Sequence, residues 1–252
     1  MKALIRYSLV VCAWVFVLWG AKPAQAQERS YFAEVGYTEG VPFYMKYYVT
    51  EHFFHSLRFT FTKRTDGSQD WHAWFNYPSF GVGSHYIQNG NRESLGDTYS
   101  IYFFIEYYLF ERERFAIPVR LGEGVGFFPT VYDRHNNYKN NSIGSHFNTG
   151  FVNYVGFRYK ITPDWAITPF YSFTHFSNSG MKKPNRGINF LNLGFSTSYH
   201  FGAEDKPGEP AAVPWWEPGK AMYELNFITG PRSVGKDINR TFPASVLSAK
   251  VI

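Results

Sequence analysis

The sequence THFSNSGMKKPNRGINF, residues 174–190, holds the residue types best suited to chemistry in this chain of 252 residues. His175 and Ser177 are two positions apart, so on a β-strand both side chains project from one face, with their bases about 7 Å apart. Across that gap an imidazole can reach a hydroxyl and take its proton as the oxygen attacks an ester carbonyl. Two residues of these types are a weak pattern, and an idle polar pair at a strand end is the alternative.

The residues that follow the pair add groups that ester hydrolysis needs. N–H donors for an oxyanion are available from three of them, Asn178, Gly180 and Asn185. The same stretch carries three cations, Lys182, Lys183 and Arg186. These cations either belong to a solvated turn or contact the anionic phosphates of a lipid.

Cofactor, metal and thiol chemistry are not predicted. The eight histidines lack metal-ligand spacing, and the glycines of GEGVGF, residues 122–127, alternate along a strand. Such glycines suit a crowded barrel interior better than a phosphate-binding loop. The one cysteine, Cys12, lies in an N-terminal segment that we expect to be removed, so the mature chain has no disulfide.

Residues 1–26 have the features of a secretory signal peptide. Lys2 and Arg6 precede an apolar run over 9–18, and an A-x-A cleavage site ends at Ala26. A transmembrane anchor is the alternative, but the run is short for a span of about 20 residues. The whole chain has a net charge of +5, and removal of the segment leaves 22 basic against 20 acidic side chains. This near balance argues against a nucleic-acid partner.

Aromatic residues, 21% of the chain, recur with the alternation of amphipathic β-strands. In TYSIYFFIEYYLF, residues 98–110, one parity is entirely apolar or aromatic and the other includes polar side chains. HSLRFTFTK and YFAEVGYTE alternate in the same way. About eight strands are predicted in all, at 30–39, 53–64, 70–86, 97–110, 114–128, 146–160, 164–177 and 188–201.

Eight long strands after a signal peptide predict an all-β fold, an eight-stranded antiparallel outer-membrane β-barrel with apolar side chains outward. The inward parity then holds five charged residues, Glu34, Arg58, Glu106, Arg120 and Arg158. Opposite charges in so narrow a lumen are expected to pair rather than to form a channel. A soluble sandwich or lipocalin-type barrel, with its greasy face inward, is the alternative. Bulky aromatics on the greasier face of long strands favour the membrane.

The barrel is predicted to occupy residues 27–201 and to be followed by a C-terminal linker and a short tail. Tyr199 and Phe201 end the last strand in an aromatic-x-aromatic pattern, which resembles the C-terminal strand signal of bacterial outer-membrane proteins. Residues 202–221 are rich in proline, glycine and charge, as linkers are. The tail, 222–252, alternates again and is either the start of an incomplete second β unit or a periplasmic extension.

Strand parity places His175 and Ser177 on the lipid-facing wall of this barrel. Asn189 in the next strand falls on the same face. Polar side chains that face hydrocarbon lack partners, so an idle pair there is unfavourable. We therefore interpret the three residues as a site at the upper rim of one wall.

The string HFSNSGMKKPNRG on the penultimate strand resembles the outer-membrane lipid A 3-O-deacylase (PagL-like) and acyloxyacyl hydrolase family. The matching elements are H-x-S-N, a following glycine and the Pro-Asn-x-Gly turn. The resemblance implies an eight-stranded barrel whose site faces the outer leaflet and cleaves an acyl ester of lipopolysaccharide. It implies His175 as general base and Ser177 as nucleophile. The positions it associates with the oxyanion hole are Asn178, Gly180 and Asn185.

One position departs from that family. Its third catalytic member is a glutamate fourteen residues after the histidine, and this position is Asn189. An asparagine can orient a catalytic histidine but cannot stabilise imidazolium by charge, and the acid-to-amide change in a serine protease costs about 10⁴ in rate. Glu106 has the wrong parity to replace the missing acid. Asn189 therefore means a slower enzyme, an acid from elsewhere or a lost activity.

The leading prediction is an outer-membrane esterase that removes an acyl chain from lipid A, without a cofactor. Its partners are then lipopolysaccharide and outer-membrane lipids, while the acyl position and the oligomeric state stay open. The alternative is a non-catalytic barrel of the same ancestry with a structural, adhesive or lipopolysaccharide-binding role.

Overall fold

The computed structural model describes residues 28–42, 53–69, 71–72, 75, 77–205, 223–233 and 241–251. The predicted signal peptide and most of the predicted linker lie outside the described residues. The strands are β1 (Glu28–Pro42), β2 (Phe54–Arg64), β3 (Ser79–Gln88), β4 (Asp97–Glu111), β5 (Phe115–Phe127), β6 (Phe147–Gly156), β7 (Arg158–Lys160), β8 (Trp165–Ser177), β9 (Ile188–Asp205), β10 (Tyr223–Ser233) and β11 (Thr241–Val251). Within the described part of the chain, no helix has the length and apolar character to cross a membrane.

Strands β1 to β9 form one closed antiparallel barrel. Successive strands pair along the wall, and β1 pairs with β9 to close it. β6 and β7 are separated at Phe157, but both pair with β5 and β8, so together they make one strand of the wall. The wall thus has eight strands, which confirms the predicted fold class.

Two strand boundaries differ from the predicted ones by four residues or more. The predicted strand 70–86 begins only at Ser79, because the chain turns just before it: Tyr77 has a φ of 51° and donates its N–H to the carbonyl of His72 at 2.6 Å. β9 continues past residue 201 to Asp205, because its last residues still pair with the beginning of β1. In the tail, β10 and β11 pair with each other as a separate two-stranded sheet. That the tail begins a second β unit stays a prediction.

The side chains of each strand alternate between the lumen and the outer wall. In β4, Tyr102, Phe104 and Glu106 are buried, while Ile101 and Phe103 are 66% and 71% exposed. β1 and β2 alternate in the same way, so the predicted outward parity is confirmed. A wall covered by exposed aromatic and aliphatic side chains is stable in hydrocarbon.

The five charged side chains predicted to face inward form one ion-pair network. Glu34 accepts hydrogen bonds from Arg58 at 3.0 Å and Arg120 at 3.3 Å. Glu106 accepts from Arg120 at 2.6 Å and Arg158 at 3.0 Å. The guanidinium groups also lie over aromatic rings of the lumen. The predicted pairing is confirmed, and these charges fill the lumen at their level.

Apolar side chains fill the lumen at the end opposite Glu28 and Asp205, which we call the outer end. The cluster consists of Phe54, Ile87, Leu95, Phe128, Ile143, Phe176, Ile188 and Phe190. The ring of Phe176 fits because its neighbours have no side chain: a Cβ on Gly126 would lie 2.6 Å from Phe176 Cε1, and one on Gly150 would lie 2.5 Å away. The glycines of GEGVGF therefore face a crowded interior, as predicted, and the cluster supports the loops above it.

Candidate active site

The chemistry-bearing stretch lies at the outer end of the barrel, on its outward face. His175 and Ser177 are in the last three residues of β8, and Asn189 is the second residue of β9. In both strands the even-numbered neighbours point into the lumen, so all three side chains face outward and are half-buried. Cross-strand pairing sets His175 directly opposite Asn189. The structure thus places the three residues that the sequence predicts as catalytic on one outward face. Among the described residues, a hydrogen bond joins His175 to Asn189, and none joins Ser177 to either of them.

Asn189 holds the imidazole of His175. Its Oδ1 lies 2.6 Å from His175 Nδ1. An amide oxygen only accepts hydrogen bonds, so Nδ1 carries the proton and donates it. In the neutral ring, Nε2 is then the unprotonated nitrogen, which is the form that a general base requires.

Two residues that the sequence did not single out fix the ring from other sides. Phe151, opposite His175 on β6, stacks on the imidazole with a centroid distance of 6.4 Å and an interplanar angle of 21°. Gly187 has a φ of 73°, and a Cβ there would lie 2.8 Å from His175 Cε1. The signal for Gly187 was its place in the Pro-Asn-x-Gly turn, whereas Phe151 looks like any other outward aromatic residue of the wall.

Ser177 is the last residue of β8 and lies opposite Thr149 of β6. Its spacing from His175 leaves the two side-chain bases about 7 Å apart on one face. The chain turns immediately afterwards, because Ser179 and Gly180 have φ values of 53° and 82°. The serine therefore stands at the point where the wall meets the outer loops.

Asn178 is fully buried and holds the loop between β8 and β9. Its Nδ2 donates to Ser145 Oγ at 2.7 Å and to the carbonyl of Lys182 at 2.8 Å. Its Oδ1 accepts the N–H of Gly180 at 3.1 Å, and its own N–H bonds Asn185 Oδ1 at 3.1 Å. The three predicted oxyanion residues are therefore adjacent, but Asn178 and Gly180 use these N–H groups inside the loop.

The loop between β5 and β6 supports this turn from the side. The carbonyl of Ser142 accepts the N–H groups of Arg186 at 3.1 Å and Gly187 at 3.2 Å. Ile143 forms a bridge with Asn185. The supporting loop has local order of its own, since two backbone N–H groups of a turn bond the carboxylate of Asp133 and lower its pKa. No pattern in the sequence indicates that these two loops meet.

The remaining predicted positions separate into two groups. In the loop between β8 and β9, Lys182 and Arg186 are exposed and Lys183 is half-buried. Glu106 lies inside the lumen in the ion-pair network, as its parity predicted, and does not contact the site. Within the described residues, no three His, Cys, Asp or Glu side chains are grouped to hold a metal ion.

A model of the family described as lipid A 3-O-deacylase (PagL) matches residues 55–198. The match includes more than half of the 252 residues and the whole of the site just described. No curated protein matches the sequence.

Solved outer-membrane proteins resemble the chain only weakly. Neisserial surface protein A has 13% identity and a TM-score of 0.47, over 68% of this chain and 97% of that one. The outer membrane enzyme PagL has 18% identity and a TM-score of 0.45, over 65% and 97%. Ail, the attachment invasion locus protein of Yersinia pestis, has 14% identity and a TM-score of 0.36, over 69% and 99%. Likeness at this level says nothing about activity.

Proposed function

The chain belongs to the lipid A 3-O-deacylase (PagL) family of the bacterial outer membrane, and from this premise we propose that it hydrolyses an acyl ester of lipid A. Ser177 is the nucleophile and His175 the general base. The observation that carries the proposal is the 2.6 Å contact between His175 Nδ1 and Asn189 Oδ1 on the lipid-facing wall. It fixes the tautomer whose Nε2 can accept the serine proton.

The reaction follows from this arrangement in two steps. Ser177 Oγ attacks the ester carbonyl while His175 Nε2 takes its proton, and the tetrahedral intermediate then expels the sugar hydroxyl, which receives that proton. The result is an acyl-serine. Water attacks it with the same imidazole as base, and its collapse releases the fatty acid and restores Ser177.

Asn189 orients the imidazole but supplies no negative charge to the imidazolium that forms after proton transfer. A carboxylate at this position would both orient and stabilise the ring, as the aspartate of serine proteases does. We therefore propose a slow enzyme, in which geometry is retained and the electrostatic contribution of the third residue is missing.

The oxyanion donor is best assigned to the side-chain amide of Asn185. Its Oδ1 is occupied by the N–H of Asn178, and this bond sets the orientation of the amide group. Its Nδ2 makes no hydrogen bond to another described residue. The side-chain amide of Asn178 holds the loop together, so we assign to Asn178 the positioning of Asn185. The backbone N–H groups of Asn178 and Gly180 are already bonded within the loop, and they can donate to the oxyanion only if the loop rearranges.

The surroundings suit a lipid substrate. Exposed apolar side chains of the wall below Ser177 can lie against an acyl chain, and the cations above it face the headgroup layer. Lys182, Lys183 and Arg186 would contact the phosphates of lipid A there.

The test is mass spectrometry of lipid A from cells that express the protein in a host known to carry the ester. The wild type is expected to give a species lighter by one acyl chain, and Ser177→Ala is expected to give none. Ser84→Ala removes a hydroxyl from the outward face of β3 and serves as the control, with a spectrum like that of the wild type. Spectra that are identical for the wild type and Ser177→Ala would contradict the proposal.

Asn189 also supports a second candidate, a non-catalytic barrel that binds lipopolysaccharide or has a structural or adhesive role. Without the family acid, the same rim could retain lipid without cleaving it. Purified protein distinguishes the two: an esterase releases fatty acid in detergent micelles and loses this activity in His175→Ala, whereas a binding protein releases none.

A further inference from the structure

The ion-pair network of the lumen holds one more cation than carboxylates. Glu34 joins Arg58 to Arg120, and Glu106 joins Arg120 to Arg158. An arginine therefore stands at each end of a chain of five side chains, all of them buried. No other carboxylate of the described residues is buried. The network thus keeps an excess of one positive charge, and a charge that is buried without compensation is unfavourable.

The hydrogen bonds of Arg158 show that this end of the chain lacks an acceptor. Nη2 of Arg158 donates to Glu106 at 3.0 Å and Nη1 to the hydroxyl of Tyr108 at 3.4 Å, while its buried Nε makes no hydrogen bond to a described residue. By contrast, all three nitrogens of Arg120 bond a carboxylate. Arg58, at the other end, also has unbonded nitrogens, but of the two it is Arg158 that lines a cavity.

This cavity lies at the inner end of the barrel, opposite the outer end, and has a volume of about 20 Å³. Such a volume holds one water molecule or one ion of similar size. Its polar lining consists of Arg64, Tyr108, Glu111, Arg158, Lys160 and His200. Three cations thus surround the cavity against one carboxylate. That carboxylate, Glu111, already accepts two hydrogen bonds from Arg64, each at 2.7 Å.

The imidazole of His200 adds a donor to this lining. Its ring stacks on Phe32 with a centroid distance of 5.0 Å, and its Nε2 lies 3.0 Å from Ser198 Oγ. When the serine hydroxyl donates to Nε2, Nδ1 carries the ring proton and becomes a donor. The lining then offers N–H groups from Arg158, Lys160 and His200, and a ligand that accepts them is what the cavity suits.

We propose that the cavity binds one small monovalent anion, chloride or another halide, which accepts the Nε–H of Arg158 and balances the charge of the lumen network. A water molecule of the same size could accept that N–H but would leave the excess charge in place. A phosphate group or a sugar is too large for a cavity that holds one water molecule. The site is at the opposite end of the barrel from Ser177, so the proposal is independent of the esterase.

Crystals grown in bromide test the site directly, because bromide scatters anomalously at its absorption edge and water does not. The wild type is expected to show an anomalous peak in the cavity, within hydrogen-bonding distance of Arg158 Nε. An ordered water in the cavity, without anomalous signal, would overturn the proposal.

Unfolding in micelles tests the same site in solution. Chloride is exchanged against gluconate, an anion too large for the cavity, at constant ionic strength. A ligand that binds only the folded protein raises the ratio of folded to unfolded molecules up to tenfold for each tenfold increase in its concentration above the Kd. The stability of the wild type is expected to rise with chloride in this way.

Three variants assign this response to the cavity. Arg158→Met should lose it, because the guanidinium is removed and the remaining charges of the network are equal in number. His200→Phe keeps a ring over Phe32, should weaken the response, and provides the test if Arg158→Met does not fold. Lys139→Met removes an exposed cation from an outer loop and should respond as the wild type does. Wild-type stability that is independent of chloride, or a response that persists unchanged in the lining variants, would contradict the proposal.

Discussion

Glu106 and Glu123 are on adjacent strands of one barrel and have opposite surroundings. Glu106 faces the lumen, is buried, and accepts hydrogen bonds from Arg120 at 2.6 Å and Arg158 at 3.0 Å. Glu123 faces the membrane, is exposed, and bonds no other described residue. These two residues represent two regions of the molecule, the lumen with its paired charges and the lipid-facing wall with its unpaired polar groups.

In the lumen, two carboxylates pair with three guanidinium groups, and the role of these residues is to fill and stabilise the barrel. On the outward face of β5, β6 and β8, Glu123 and Asn153 lie on the strands beside His175, and Glu123 makes no ion pair within the described chain. An outward polar group without a protein partner is available to a ligand. We propose that this difference separates residues that stabilise the fold from the residues around His175 that act on a lipid. Four substitutions test that separation.

The largest expected effect is a gain of activity at Asn189. Asn189→Glu supplies the negative charge that the imidazolium lacks, so kcat should rise, by up to about 10⁴ if the charge has the value it has in serine proteases. Asn189→Gln has the same length without the charge and should show no such rise. Fatty-acid release by the purified proteins is the measurement, and equal rates for the two variants would show that charge at this position does not limit the reaction.

Substitution in the ion-pair network of the lumen should change the stability of the protein rather than its activity. Glu106→Gln leaves the buried guanidinium group of Arg158 without a carboxylate partner and Arg120 with Glu34 alone. This change should lower the free energy of unfolding by about 3–5 kcal/mol. Glu123→Gln removes the matched outward carboxylate and should change it by less than about 0.5 kcal/mol. Urea unfolding in micelles, followed by heat-modifiable gel migration, compares them. Similar losses in both variants would break the distinction between the two regions.

Gly187 should matter through the position of the imidazole. Gly187→Ala pushes a methyl group against His175 Cε1, and a displacement of about 1 Å at a catalytic group can cost about 10²-fold in rate. Gly90→Ala controls for backbone strain, since Gly90 has a similar φ of 72° in another outer loop. The fall should be in kcat, with KM little changed. Equal losses in both alanine variants would assign the effect to strain in the outer loops.

Phe151 should have the smallest effect. Phe151→Leu removes a stacking contact of the kind worth about 0.5–1.5 kcal/mol, so kcat should fall by about 2- to 12-fold. Phe147→Leu changes an exposed aromatic residue at the outer end of the same strand and should not affect kcat. A larger loss for Phe147→Leu would indicate that this wall acts through general lipid contact and not through the imidazole.

Strand parity was sufficient to predict the barrel, the lumen charges and the outward face of His175, because a period of two is preserved wherever one side is apolar. The same rule failed before Ser79, where aromatic residues continue through a turn whose backbone bonds the sequence does not reveal. It also placed Glu106 correctly in the lumen.

The candidate site was only partly predictable. The contact of His175 with Asn189 follows from pairing of two neighbouring strands, which parity anticipates. The bonds that occupy Asn178, and the support from Ser142, depend on where two loops meet in space, and no local pattern encodes that. Glu123 was overlooked because the sequence shows only one polar residue among apolar outward positions. Its position relative to His175 depends on the strand register, which the structure supplies.

Covalent labelling tests the central claim most directly, that Ser177 is a nucleophile activated by His175. A long-chain alkyl fluorophosphonate reacts with an activated serine as the oxygen bonds phosphorus and fluoride leaves. Peptide mass spectrometry of the treated wild type is expected to find the added mass on Ser177, and His175→Ala protein should be labelled far more slowly. An active wild type that remains unlabelled at Ser177, or equal labelling of the His175→Ala protein, would contradict the account.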